Sequence, residues 1–288
     1  MDIDVWTLVG MAAKGAMYFG VLGASGTQIY RLLILAAPSG GAARFSAATL
    51  AYALAGLLGA VFVFLCSAAM LVGGSEGMTD PEMLHLLWGT SQGAMLQLCL
   101  VGLALLIFGS LTKGPARYVA LIGALVALSA FLAVGHVADT GSTVARVGHL
   151  LHLVGMATWL GALLPLYGLA RGGDTIDELA HAAKRFGAFA TIFVPIALVA
   201  GAGLAWWLLG SAGSLFTTDY GLVLLGKTSA AMVLLALAAW NKLRLTPALQ
   251  ERDTRAVVSF RRSVASEFAL ILIIVFATAM LTTVVAPA

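Results

Sequence analysis

A chain with eight separate apolar runs, each close to the roughly 20 residues a helix needs to cross a bilayer, has few ways to fold. The runs are Trp6–Ile29, Ala47–Leu71, Thr90–Leu111, Tyr118–Gly135, Val147–Leu169, Phe186–Gly210, Leu222–Leu243 and Val264–Val285. They are too long for buried strands. The expected fold is therefore all-α, a polytopic membrane protein whose residues 1–288 form a single eight-helix domain. Composition excludes a soluble domain. Only 10% of residues are charged, against roughly 25% in soluble proteins, and the mean hydropathy is +1.00. The net charge of +3 then reads as a topology signal rather than a surface for nucleic acid.

Orientation follows from the charges. All basic residues except Lys14, Arg146 and Lys227 fall in loops or helix ends after the odd-numbered segments, among them Arg31, Arg44, Lys113, Arg117, Arg171, Lys242, Arg261 and Arg262. The other side collects Asp2, Asp4, Glu76, Asp80, Glu82, Asp139 and Asp219. The positive-inside rule puts both termini on the non-cytoplasmic side, the periplasm if the membrane is a bacterial inner membrane. Met1-Asp2-Ile3-Asp4 carries no basic n-region, so the first segment is expected to remain in the protein. Trp6, Trp88, Trp206, Trp207 and Tyr220 suit an aromatic belt at the outer ends, and Tyr30 and Trp240 one at the inner ends. Gly15, Gly20 and Gly23, with Gly56, Gly59 and Ala60, suit close helix packing. Thr79-Asp80-Pro81-Glu82 reads as a helix start, a capping-box pattern with proline in the first turn, opening a short interfacial helix before the third span.

Topology also sorts the histidines. His136 ends the fourth span at its outer end, His149 and His152 enter the fifth from the same side, and His85 lies before the third. His149 and His152 are spaced i, i+3 and share one helix face. Met156 extends that face inward. Imidazoles beside a thioether suit copper, and sulfur favours Cu(I) over Cu(II). His136, His149 and His152 are expected to form a site, with His85 a possible fourth member. Cys66, Cys99 and most methionines read as packing residues. Charges within the spans cost several kcal/mol and need a reason. Lys14, near the middle of the first span, is expected to bind a carboxylate or carbonyl, or to lose its proton. Lys227 is expected to reach towards Asp219, and Glu267 to meet Arg244 or Arg262.

Val134-Gly135-His136-Val137-Ala138, Leu151-His152-Leu153-Val154 and Trp159-Leu160-Gly161-Ala162-Leu163 resemble the CopD copper-resistance family. Thr218-Asp219-Tyr220-Gly221, Leu225-Gly226-Lys227, Asn241 to Pro247, and Arg261-Arg262-Ser263-Val264 with Glu267 also resemble it. The resemblance is strongest over 118–288; before that it rests mainly on the span pattern. It implies an inner-membrane protein of copper uptake or resistance that often works with CopC, a small periplasmic copper-binding protein, here expected to be a separate chain. It carries His136, His152 and Trp159 over by motif, with Lys227 and Glu267 as family-like charges. Gly161-Ala162 replaces a usual double glycine, and Gln97 stands where many relatives carry arginine.

The leading expectation is copper transport. Without a Walker motif the transport would be passive, gradient-driven or handed on by chaperones. No nucleophile elbow, HExxH motif or paired carboxylates at one depth point to an enzyme. The alternative is a haem b electron carrier or copper reductase, since histidines on facing helices also supply axial ligands.

Overall fold

The computed structural model describes residues 5–35, 42–135, 142–172 and 175–284. Among them the regular elements are all helical, and eight helices are long and apolar enough to cross a membrane. We label these α1 (Val5–Ile29), α2 (Ala42–Val72), α3 (Ser91–Leu111), α4 (Val119–Ser129), α5 (Thr143–Arg171), α6 (Ile176–Leu209), α7 (Asp219–Trp240) and α8 (Thr254–Leu281). Turns of 3₁₀ helix lengthen α4 at both ends, from Gly114 to Leu132. Two spans run on through π turns, α1 into Tyr30–Ile34 and α7 into Asn241–Leu245.

Several helices start well before their apolar runs, because capping side chains rather than hydropathy set the boundary. Thr175 accepts from the Glu178 N–H at the start of α6, and Asp253 from the Arg255 N–H at the start of α8. The short helix Pro81–Trp88 forms before α3 as expected, with proline in its first turn. Its cap differs from the expected one. Asp80 accepts from the N–H groups of Glu82 and Met83, while the Thr79 hydroxyl turns back to the Glu76 carbonyl. A carboxylate already poised one residue later displaces the hydroxyl from the capping role.

Lipid is as apolar as leucine, so the bundle is held by close packing and interhelical hydrogen bonds rather than by water exclusion. Gly20 of α1 rests against Gly56 of α2, where a Cβ on either would meet the other helix's backbone. A second close approach joins α1 to α5. A Cβ on Gly26 would overlap the Ala157 carbonyl, and one on Gly161 would overlap the Thr27 amide. The Thr27 hydroxyl lies 3.1 Å from the Gly161 carbonyl oxygen and 2.7 Å from that of Gly23. Cys66 and Cys99 are buried free thiols, the packing role expected of them.

These contacts put α5 at the centre. In its most apolar stretch 67% of residues are buried, against 11% for α6 and 6% for α7. α6 leans on α5 and on the segment Thr246–Gln250, and α7 leans on α8. A cavity opens between α6 and α7, walled behind by α5 and α8. Trp88, Trp206, Trp207 and Trp240 are exposed on the outside of the bundle, as a belt requires. Tyr30 and Tyr220 are not belt residues; both are buried, and the Tyr30 hydroxyl donates to the Ala182 carbonyl. A hydroxyl that finds a backbone partner inside the bundle has no need of the interface.

Candidate functional site

Side chains on α5 at positions 149, 152, 156, 159, 163 and 166 follow the i, i+3, i+4 spacing that aligns them on one face. His149, His152 and Met156 occupy the half of this stripe near the helix start, and Trp159, Leu163 and Leu166 the half towards the basic loops. All three of the first group are half-buried.

His152 reaches α6. Its Nδ1 lies 2.8 Å from the Ala197 carbonyl oxygen, so that nitrogen carries the proton and donates. The ring also packs on Gly201, where a Cβ would sit 3.0 Å from it. With Nδ1 committed, Nε2 is left with a free lone pair. His149 lies within electrostatic reach of His152, and its Nδ1 is buried with no hydrogen-bond partner among the described residues. The Lys227 ammonium of α7 is within electrostatic reach of both rings. No ion pair or hydrogen bond joins Lys227 to Asp219 among the described residues.

Of the other expected members of the metal site, His85 is not brought to this pair. His136 lies outside the described residues, as do Asp2, Asp4 and Asp139. His85 is exposed on Pro81–Trp88, a helix that packs against α2 and α3. Among the described residues no group of three or more His, Cys, Asp or Glu side chains comes together to hold a metal ion. Two imidazoles with a thioether one turn below are what the described residues supply.

The charged residues have partners that sequence did not name. Glu267 is buried on α8 and does not meet Arg244 or Arg262. Its Oε2 accepts from Trp159 Nε1 at 2.9 Å, and its Oε1 from Asn241 Nδ2 at 2.5 Å. Asn241 opens the π turn that continues α7, and that wider turn belongs to the helix end facing α8. Lys14 does find a carbonyl. Its Nζ donates to the Thr282 oxygen at 2.7 Å, beside a contact of 3.1 Å between the Tyr18 and Thr282 hydroxyls. Thr282 ends α8, where the helix dipole and unpaired carbonyls favour a cation. Lys14 therefore clamps α1 to α8. It stands at the tenth residue of the span Val5–Ile34, between the helix start and its middle.

Comparison with protein families gives two matches. A profile described as "Copper resistance protein D-like, N-terminal domain" matches residues 3–147, and one described as "Copper resistance protein D" matches residues 180–281. The half of the chain where sequence reading found mainly a span pattern thus has a match of its own. Residues 148–179 lie between the matched segments and hold His149, His152, Met156 and Trp159. No curated protein and no solved structure matches the chain.

Proposed function

We propose that this chain, which belongs to the copper resistance protein D family, carries copper across the bacterial inner membrane, taking the ion at His149 and His152 on the side opposite the basic loops. The observation that supports this reading is the bond between His152 Nδ1 and the Ala197 carbonyl. Ligating histidines characteristically donate one ring N–H to a carbonyl, which fixes the tautomer and presents the other nitrogen to the metal. The unpartnered His149 Nδ1 is a second donor, and Met156 offers the soft ligand that Cu(I) prefers. By the positive-inside rule the site faces the periplasm, where a separate CopC-like protein would deliver the ion. A gradient or cytoplasmic chaperones would draw it inward.

Purified protein in proteoliposomes tests the reading. Copper should accumulate faster than in protein-free vesicles, and the protein should be colourless in the visible region. A Soret band would assign the histidines to haem instead, and uptake no faster than in empty vesicles would remove transport.

Lys227 gives a finer expectation. An ammonium near both rings opposes a cation. Lys227→Met should therefore tighten copper binding by about tenfold, equivalent to ~1–2 kcal/mol of like-charge repulsion in a partly screened site. Competition against a chromogenic copper chelator measures it.

A further inference from the structure

The cavity between α6 and α7 has a volume of about 290 Å³ and is walled mainly by apolar side chains such as Phe186, Val194, Leu235 and Phe260. Glu267 is its carboxyl group, set at the back with Trp159 and Asn241. Buried carboxylates are ordinarily paired with a cation, because an unpaired charge in an apolar interior costs several kcal/mol. Glu267 has two neutral donors instead, one on each oxygen. No cation among the described residues is bonded to it. Lys242, the charged side chain at the cavity wall on the α7 side, donates to the Thr191 hydroxyl of α6. Arg185 of α6 donates to the Ile34 carbonyl. On α1, Lys14 and Tyr18 are engaged at Thr282, and the Tyr30 hydroxyl that follows at Ala182. Tyr167 and Arg171 of α5, and Arg261 and Arg262 of α8 itself, make no hydrogen bond or ion pair with the carboxyl. The segment Thr246–Gln250 carries no titratable group.

Asn241 adds the second observation. It is buried and lines the cavity, and its Oδ1 has no hydrogen-bond partner among the described residues. An amide is the one side chain that donates to a carboxylate through its nitrogen and, turned over, accepts from a carboxylic acid through its oxygen. The orphaned oxygen is thus the acceptor that a protonated Glu267 would need. A fixed structural carboxylate has no use for it.

We infer that Glu267 is a proton-exchanging carboxyl of the membrane interior, with Asn241 as the amide that serves both of its protonation states. The cavity has room for several water molecules. A hydronium ion in that water gives its proton to Oε1 and leaves as water. The carboxylate becomes neutral, the Asn241 amide turns to accept the new O–H, and Trp159 keeps its bond to Oε2. No electron moves. Release reverses these steps. The soft copper donors lie elsewhere, since the cavity wall contains no Cys, Met or His, and a carboxylate is a poor ligand for Cu(I). The α5 stripe nevertheless joins this cavity to the histidine pair, Trp159 standing two turns, about 10 Å, beyond His152. A role for Glu267 in balancing the charge of passing copper rests on the transport reading above. The proton exchange does not.

Infrared difference spectra between acidic and alkaline buffer, recorded on the protein in lipid nanodiscs without copper, test it. The wild type should show the C=O stretch of a protonated carboxyl, shifted in D₂O, and Glu267→Gln should lose that band. Trp159→Phe retains the carboxyl but removes one donor, so the band should persist at a shifted frequency. Absence of the band in the wild type, its survival in Glu267→Gln, or an unshifted band in Trp159→Phe overturns the inference. A wild type that shows the band yet moves no copper keeps this inference and ends the transport reading.

Discussion

Gly26→Leu should prevent accumulation of the folded protein. Gly26 and Gly161 bring α1 and α5 together backbone to backbone, so an added side chain at position 26 meets the Ala157 carbonyl rather than a movable side chain. Backbone within a helix cannot yield without breaking its own hydrogen bonds. The two helices would have to separate, and the Thr27 bond to the Gly161 carbonyl would go with the contact. Overpacking in a core ordinarily costs about 1–3 kcal/mol. Here the clash lies at the helix on which the rest of the bundle packs, so the upper end of single-substitution effects applies, ~4–5 kcal/mol. Gly226→Leu is the control, since a Cβ at Gly226 has nothing within 4 Å. Detergent-solubilised expression followed by size-exclusion chromatography should give a normal monodisperse peak for Gly226→Leu and little or none for Gly26→Leu. Equal peaks would mean that the α1–α5 approach is not needed for folding.

Why sequence reading found the helices but missed this contact is a matter of range. A bilayer imposes one length and one polarity on each span, so eight apolar runs were enough to give eight helices. The i, i+3, i+4 rule likewise put His149, His152 and Met156 on one face, because that geometry is internal to a helix. Contacts between helices follow no such local rule. The glycines of the first two spans were legible as a packing surface, and Gly20 does meet Gly56. Nothing in the sequence marked Gly26 as the partner of a helix 131 residues away. Glu267 shows the same limit. Its charge suggested arginine partners close by on the basic side, whereas the structure brings Trp159 and Asn241 to it from α5 and the end of α7. Neutral donors on distant segments leave no charge pattern to read. Lys227 faced two options, the interface or the interior, and its nearness to His149 and His152 on α5 is a relation between distant segments that no local pattern encodes. Lys14 was easier, because a cation deep in a span must find an oxygen, and the frayed end of α8 offers one.

The paired variant His149→Ala/His152→Ala should abolish high-affinity copper binding. Loss of a partner that merely orients a metal ligand costs about 10–100-fold in affinity, and loss of both ligands must exceed that. Each ring has to be unprotonated to bind, so wild-type binding weakens as pH falls and copper uptake releases protons. In the paired variant that pH dependence should vanish together with the affinity. Gly201→Val separates ligation from packing. It keeps both imidazoles but places a side chain against the His152 ring, 3.0 Å away at the Cβ, and so pushes Nδ1 off the Ala197 carbonyl. If the carbonyl orients the ring for copper, Gly201→Val should lose about tenfold in affinity or more, with the protein still folded by size-exclusion chromatography. Chelator competition across a pH series, read for all three proteins, decides. A paired variant that binds copper as tightly as the wild type would show that the ion is held elsewhere.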